Sequence, residues 1–228
     1  MSNPPLHCVV SVSGIRGVIG DDLNIDQLLH LGAACGSTVG ELGTVVVGRD
    51  SRPTGAMVVQ AVCAGLRAVG CSVIDIGVVP TPTVPLAVLH HGAAAGIQVS
   101  SSHNPVEWNA LKFFNKRGRN VDRSELDWIL AAYADPPRGH WRRWDGVGGQ
   151  RGDDQAIARH LDRVLAGVDV KRIRSRRLHV VIDCVNGSGA EAGPHLLTRL
   201  GCKVTVLHGR SDLPFPRDPE PTEAHCAA

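Results

Sequence analysis

Three consecutive serines and a His-Asn-Pro, Ser100 to Pro105, close the apolar run Ile97–Val99, and Lys112 follows seven residues beyond the proline. In an open parallel sheet, ligands bind beyond the carboxyl ends of the strands. A serine placed there, on a turn closed by Asn104-Pro105, has an exposed hydroxyl on a fixed backbone. His103 brings an imidazole beside that hydroxyl or beside a phosphate attached to it, and Lys112 can return an ammonium to the same mouth. Positioned cations around a serine suit phosphoryl transfer, where they offset the negative charge of the migrating group. The alternative is an ordinary polar turn after a strand.

Other segments carry less. In Ser-Gly-Ile-Arg-Gly at 13–17, two glycines let the backbone turn tightly around Arg16, a side chain suited to bidentate phosphate recognition. Alone, it reads more readily as a surface residue. In Gly48-Arg49-Asp50-Ser51-Arg52-Pro53-Thr54, Asp50 or Ser51 is expected to cap the coming helix with Pro53 in its first turn. Capping leaves the two arginines unexplained. Pro80-Thr81-Pro82-Thr83 reads as a helix start, and Asn186-Gly187-Ser188-Gly189 as a tight strand-to-helix connection rather than a phosphate cradle. Neither a P-loop nor a dinucleotide fingerprint occurs.

These residues need a scaffold, and the hydrophobic pattern supplies one. Val45–Val47, Val73–Ile76, Ile97–Val99 and Val180–Ile182 read as buried strands. Ile25–Val39, Gly55–Val69, Ser124–Ala132 and Asp154–Leu165 read as amphipathic helices. The alternation predicts right-handed βαβ units in an α/β/α layered domain with a mixed, mainly parallel sheet. The order strand, turn, helix, Gly-Cys-x-Val recurs, ending at Val73 and again at Val204. Either any βαβ unit gives this order, or two domains share one ancestral design. Residues 1–138 are expected to form the first domain, 139–153 a Gly-, Pro- and Arg-rich link, and 154–228 an incomplete second domain of the same type. Two strands and two helices make a small core, and the sequence looks cut off.

Composition excludes several classes. The 228 residues are 43% hydrophobic and 20% charged, ordinary for a globular α/β protein. No apolar run is long enough for a membrane span, and no basic segment leads into an apolar one at the N-terminus. A cytoplasmic location is expected. The seven cysteines include no C-x-x-C pair and read as buried hydrophobes, not as a disulfide framework or zinc site. A net charge of +2 gives no case for nucleic acid. The basic run at 171–177 reads as a solvated helix end, since no aromatic residue interrupts it.

SGIRG, GRDSR, TPT, S-S-S-H-N-P and N-A-L-K, in this order and spacing, resemble the α-D-phosphohexomutases, the superfamily of phosphoglucomutase, phosphomannomutase and phosphoglucosamine mutase. The likeness runs over essentially the whole chain, and the opening SVSGIRGVIG looks most like phosphoglucosamine mutases. It implies a phosphoserine that passes its phosphoryl group to a sugar monophosphate and recovers the opposite phosphate from the bisphosphate. It places that serine at Ser102, the catalytic lysine at Lys112, and a phosphate-contacting arginine and histidine at Arg16 and His103. Arg16, His103, Asn104 and Lys112 would bind substrate and phosphate. The usual Thr-Ala before the nucleophile is Ser100-Ser101 here, and a usual glycine is Ala110.

The resemblance further implies Mg²⁺ at the complete site and a sugar 1,6-bisphosphate activator, with a hexose phosphate as substrate and neither nucleic acid nor membrane as partner. For a phosphoglucosamine mutase the reaction interconverts glucosamine 6-phosphate and glucosamine 1-phosphate. The family's Asp-Gly-Asp-x-Asp-Arg metal loop, its sugar-selecting loop and its last phosphate loop do not occur. Of the metal ligands only Ser102, through its phosphate, is present, and the chain as written is not expected to turn over rapidly. A non-catalytic phosphosugar-binding remnant is the alternative of a different class. A serine hydrolase fits poorly, lacking a G-x-S-x-G elbow and placing its histidine beside the serine.

Overall fold

The computed structural model describes residues 3, 5–39, 43–137 and 140–227. Its strands are β1 (Val9–Ser11), β2 (Gly14–Val18), β3 (Thr44–Arg49), β4 (Ser72–Val78), β5 (Ala95–Val99), β6 (Trp108–Asn115), β7 (Gln150–Gly152), β8 (His179–Asp183) and β9 (Lys203–Leu207). Its helices are α1 (Ile25–Thr38), α2 (Gly55–Ala68), α3 (Thr83–His91), α4 (Arg123–Ala134), α5 (Ala156–Ala166), α6 (Val170–Ser175), α7 (Gly189–Arg199) and α8 (Glu223–Cys226).

The first seven strands form one mixed sheet in the order β1-β2-β6-β5-β3-β4-β7. Its β5-β3-β4-β7 half is parallel, and β6, β2 and β1 are added antiparallel. β8 and β9 make a separate parallel pair. All four expected strands and all four expected helices are present within two residues of their expected ends.

Alternation along the strands divides the side chains between two cores. Val45, Val47, Ile97, Val99, Leu111 and Phe113 face α1, α2 and α4. Val46, Ile74, Ile76 and Phe114 face α3, and Ile157 and Leu161 of α5 and Ala192 of α7 join that second core. Capping boxes start α1, from Asn24 with Gln27, and α4, from Asp122 with Glu125.

The sequence reading of α2's start needs correction. The helix begins at Gly55 with Thr54 in the cap position, and Asp50 turns its carboxylate to Arg52 instead. Thr54 makes no cap bond; its hydroxyl accepts from Asn109 Nδ2 at 3.0 Å. The stretch read as a link holds a 3₁₀ turn at Trp144–Gly146 and then β7, which pairs with β4 and so lengthens the sheet of the first unit. The boundary expected at 138/139 lies outside the described residues.

The β8–β9 pair is covered on one side by α7, whose Gly193 packs on Ile182. On the other side Val181 is 61% exposed. Among the described residues no further strand pairs with either edge.

Candidate active site

β5 is buried along its whole length and delivers the serines to the carboxyl end of the sheet. Ser100 still belongs to the ladder, donating its N–H to Ala110 O of β6 at 3.0 Å. The chain then turns sharply: Ser102 N–H donates to Ser100 Oγ at 3.1 Å and Asn104 N–H to Ser101 O at 3.1 Å. Ser102 lies at φ 58, in the left-handed region. A residue with a Cβ adopts that conformation at a cost of about 1–2 kcal/mol, and such outliers gather at functional sites. Ser100 and Ser101 are buried, whereas Ser102 is exposed. Of the three serines, the backbone presents only the third to solvent.

The cations approach from the neighbouring strands. Arg16 on β2 pairs across the ladder with Ala110 on β6, and Lys112 stands two residues further along β6. The pleat therefore puts Arg16 and Lys112 on one face of the sheet. Burial lowers the Lys112 ammonium below its ordinary range; nearby Asp50 partly restores it and Arg16 depresses it again. A lysine so placed gives up its proton more readily than one in water.

Asp50 connects this group to the serine. Its N–H donates to Val99 O at 2.9 Å, and with Ser102, His103, Ser100 and Thr81 it lines a cavity of about 280 Å³. The second unit supplies the opposite wall through Gly187, Ser188, Phe215 and Pro219. Arg16 and Lys112 stand outside this wall, on the adjoining strands. The His103 imidazole reaches across to Glu220, Nε2 to Oε2 3.4 Å. The interactions seen at Asn104 are those of its backbone, so the expected substrate contact of its side chain gains no support from the geometry.

Sequence reasoning missed three residues here. Arg52 is 1% exposed and lies beneath the serine loop. Its only sequence signal was an arginine that helix capping left unexplained. Phe215 and Glu220 come from a proline-rich stretch more than a hundred residues from Ser102, and no local pattern announces their partners. Asn186-Gly187-Ser188-Gly189 is the strand-to-helix connection expected, between β8 and α7, and it also forms part of the cavity wall. A second cavity of about 910 Å³, lined in part by Asp75, Asp154 and Glu191, lies beside β7 and does not contain Ser102.

The described residues do not fit a divalent cation by themselves. No group of three or more His, Cys, Asp and Glu side chains converges among them. The nearest buried carboxylate to the loop, Asp50, is engaged by Arg52 at 3.2 Å.

The fold is a layered α/β domain that sets an exposed serine and His103 beyond the end of a buried strand, with Arg16 and Lys112 on the adjoining strands. The chain belongs to the phosphoglucomutase/phosphomannomutase family: residues 9–138 match its alpha/beta/alpha domain I and residues 158–228 its domain II. It is 38% identical over 210 residues to a probable phosphoglucosamine mutase of Methanobrevibacter smithii, covering 92% of this chain and 46% of that one. It is 36% identical to a phosphoglucomutase/phosphomannomutase of Thermococcus kodakarensis, covering 92% and 47%. A solved structure of a putative phosphomannomutase from Thermus thermophilus superposes with TM-score 0.83 at 27% identity, over 99% of this chain and 51% of that one. The chain thus spans about half the length of the relatives it matches.

Proposed function

We propose that this chain is the phosphoryl-carrying part of a phosphohexomutase, with Ser102 as the carrier. The observation that carries the reading is the conformation of Ser102, the one exposed serine of the three, held in the left-handed region at the end of a buried strand and in the wall of an inter-unit cavity. In the reaction the phosphoryl group leaves Ser102 Oγ for a free hydroxyl of a hexose monophosphate, whose proton passes to a base. The bisphosphate then returns its other phosphoryl group to Ser102. Lys112, its ammonium depressed by burial, suits the proton-transfer role, and Arg16 and His103 supply positive charge to the moving group.

Phosphoglucosamine is the favoured substrate on the likeness to phosphoglucosamine mutases, with mannose and glucose phosphates as the alternatives. A cation held against phosphorylated Ser102 would need carboxylates that the described residues do not bring to it.

Incubation with glucose 1,6-bisphosphate tests the carrier role directly. Intact mass should rise by one phosphoryl group that maps to Ser102, and S102A should stay unlabelled. Label absent from Ser102, or unchanged in S102A, would remove the reading. The competing role, phosphosugar binding without transfer, is favoured by the lack, among the described residues, of a carboxylate cluster at the loop. It predicts saturable binding of hexose phosphate with no label.

A further inference from the structure

A guanidinium offers five N–H donors in a rigid fork. In Arg52 all five have acceptors. Nε donates to the Asp50 carboxylate at 3.2 Å. Nη1 donates to the carbonyls of Pro105 and Trp108 at 2.5 and 3.1 Å, and Nη2 to those of Ser102 and Asn104 at 3.0 and 2.7 Å. Three of the four carbonyls belong to the serine loop and the fourth to Trp108, the first residue of β6; those of Ser102 and Asn104 flank His103. The Arg52 side chain is fully buried, and Asp50 balances its buried charge. A lysine, with one compact ammonium and three donors, cannot span four carbonyls.

One direction remains open to the guanidinium, its flat face. The guanidinium carbon lies over the Phe215 ring, 5.6 Å from the ring centre. Phe215 belongs to the second unit and is tied there: Asn186 Nδ2 donates to Pro214 O at 2.7 Å, and Arg217 pairs with Asp183 at 3.0 Å.

We infer that Arg52 is the positioning residue of the serine loop, and that Phe215 makes this positioning depend on the second unit being seated. The functional consequence rests on the carrier reading of Ser102; the geometry does not. Arg52 touches no reacting atom. It fixes the carbonyl of Ser102 from below while the Ser100 hydroxyl fixes the N–H, so the left-handed turn is pinned on both sides of the Ser102 Cα. Once Phe215 lifts away, water reaches the guanidinium, the four carbonyl bonds exchange with solvent, and the hydroxyl loses its fixed direction.

The test uses the full 228-residue chain and two readouts. Amide hydrogen exchange over residues 100–108 reports the loop, and the rate of Ser102 labelling by glucose 1,6-bisphosphate reports the chemistry. R52K should speed exchange in the loop by about tenfold or more while α1 and α2 keep their protection. It should slow labelling by about 100-fold with little change in half-saturating concentration, the scale of a misplaced reacting group. F215A should slow labelling about fivefold and F215Y should restore it, because the aromatic face returns. Unchanged loop exchange in R52K, or loosening that extends equally to α1 and α2, overturns the inference. If R52K does not fold, the F215A and F215Y pair decides it: loss without rescue overturns it. Wild-type protein that takes no label sinks the carrier reading, and loop exchange in R52K still decides the role of Arg52.

Discussion

The His103 imidazole and the Glu220 carboxylate meet 3.4 Å apart across the cleft, one from the serine loop and the other from the second unit. Their side chains are 62% and 43% exposed, so the contact is solvated and worth at most a fraction of a kcal/mol. Its importance is electrostatic placement. A phosphoryl group arriving on Ser102 would find an anion already beside the imidazole.

E220Q should therefore leave the melting temperature within about 2 °C of wild type. Labelling of Ser102 by glucose 1,6-bisphosphate should rise about twofold at low salt, and the gain should fade as salt screens the charge. Stopped labelling followed by mass spectrometry at two ionic strengths checks both arms. Slower labelling in E220Q would mean that the carboxylate assists instead of opposing.

Ser102 can be probed through its backbone. S102G removes the hydroxyl and accepts φ 58 freely, whereas S102A removes it and keeps the strain. Both should be unlabelled, yet S102G should be more stable than S102A by about 1 kcal/mol in urea unfolding. Equal stability would show that the loop relaxes once the hydroxyl is gone.

Lys112 gives a pH signature. Its folded value lies below the ordinary 10.5, so within that window the unfolded chain binds the extra proton and stability rises with pH. K112M should match or exceed wild-type stability at neutral pH, with the difference shrinking as pH climbs toward 10.5. Its labelling rate should fall about 10²–10⁴-fold, the usual contribution of a positioned acid or base. Unfolding curves at several pH values check the first claim, and mass spectrometry the second.

His160 bears on the junction between the units. Its Nδ1 lies 2.8 Å from the hydroxyl of buried Thr83, and burial lowers it below the ordinary 6.5. The folded state then binds fewer protons than the unfolded one, and stability is lost as pH falls from 6.5 toward the folded value. H160Q should flatten that slope. His90, Arg159, Asp162 and Arg163 border the same hollow and remain in both proteins, so the difference isolates His160.

The close approach of α1 and α2 allows a packing test. A Cβ on Gly65 would fall inside the van der Waals shell of the Leu29 carbonyl, and one on Gly32 would do the same to that of Val62. G65A should cost about 2–3 kcal/mol, read from urea unfolding, because backbone and not a flexible side chain must give way.

Much of this architecture was legible in the sequence because its strands are short β-branched runs bounded by turn residues. Val45–Val47 and Ile97–Val99 could hardly be read otherwise. β6 was not read as a strand: Trp108–Asn115 mixes Asn, Lys and Phe, and its pairing with β5 and β2 comes from contacts distant in sequence. The candidate site divides in the same way. Ser102, His103 and Lys112 were readable from local motif and strand order. Arg52 was visible only as a residue without a local role, since its acceptors are carbonyls fifty or more positions away. Phe215 and Glu220 were hidden for the same reason.

The β8–β9 ribbon has a practical corollary. Its outer backbone amides and carbonyls are free of strand partners among the described residues, and Val181 sits on the bare side. Such a rim is a template on which any extended chain, including another copy, can crystallise its own hydrogen bonds. Pairing between copies grows with concentration, so a dilute preparation is the one in which Ser102 should be assayed.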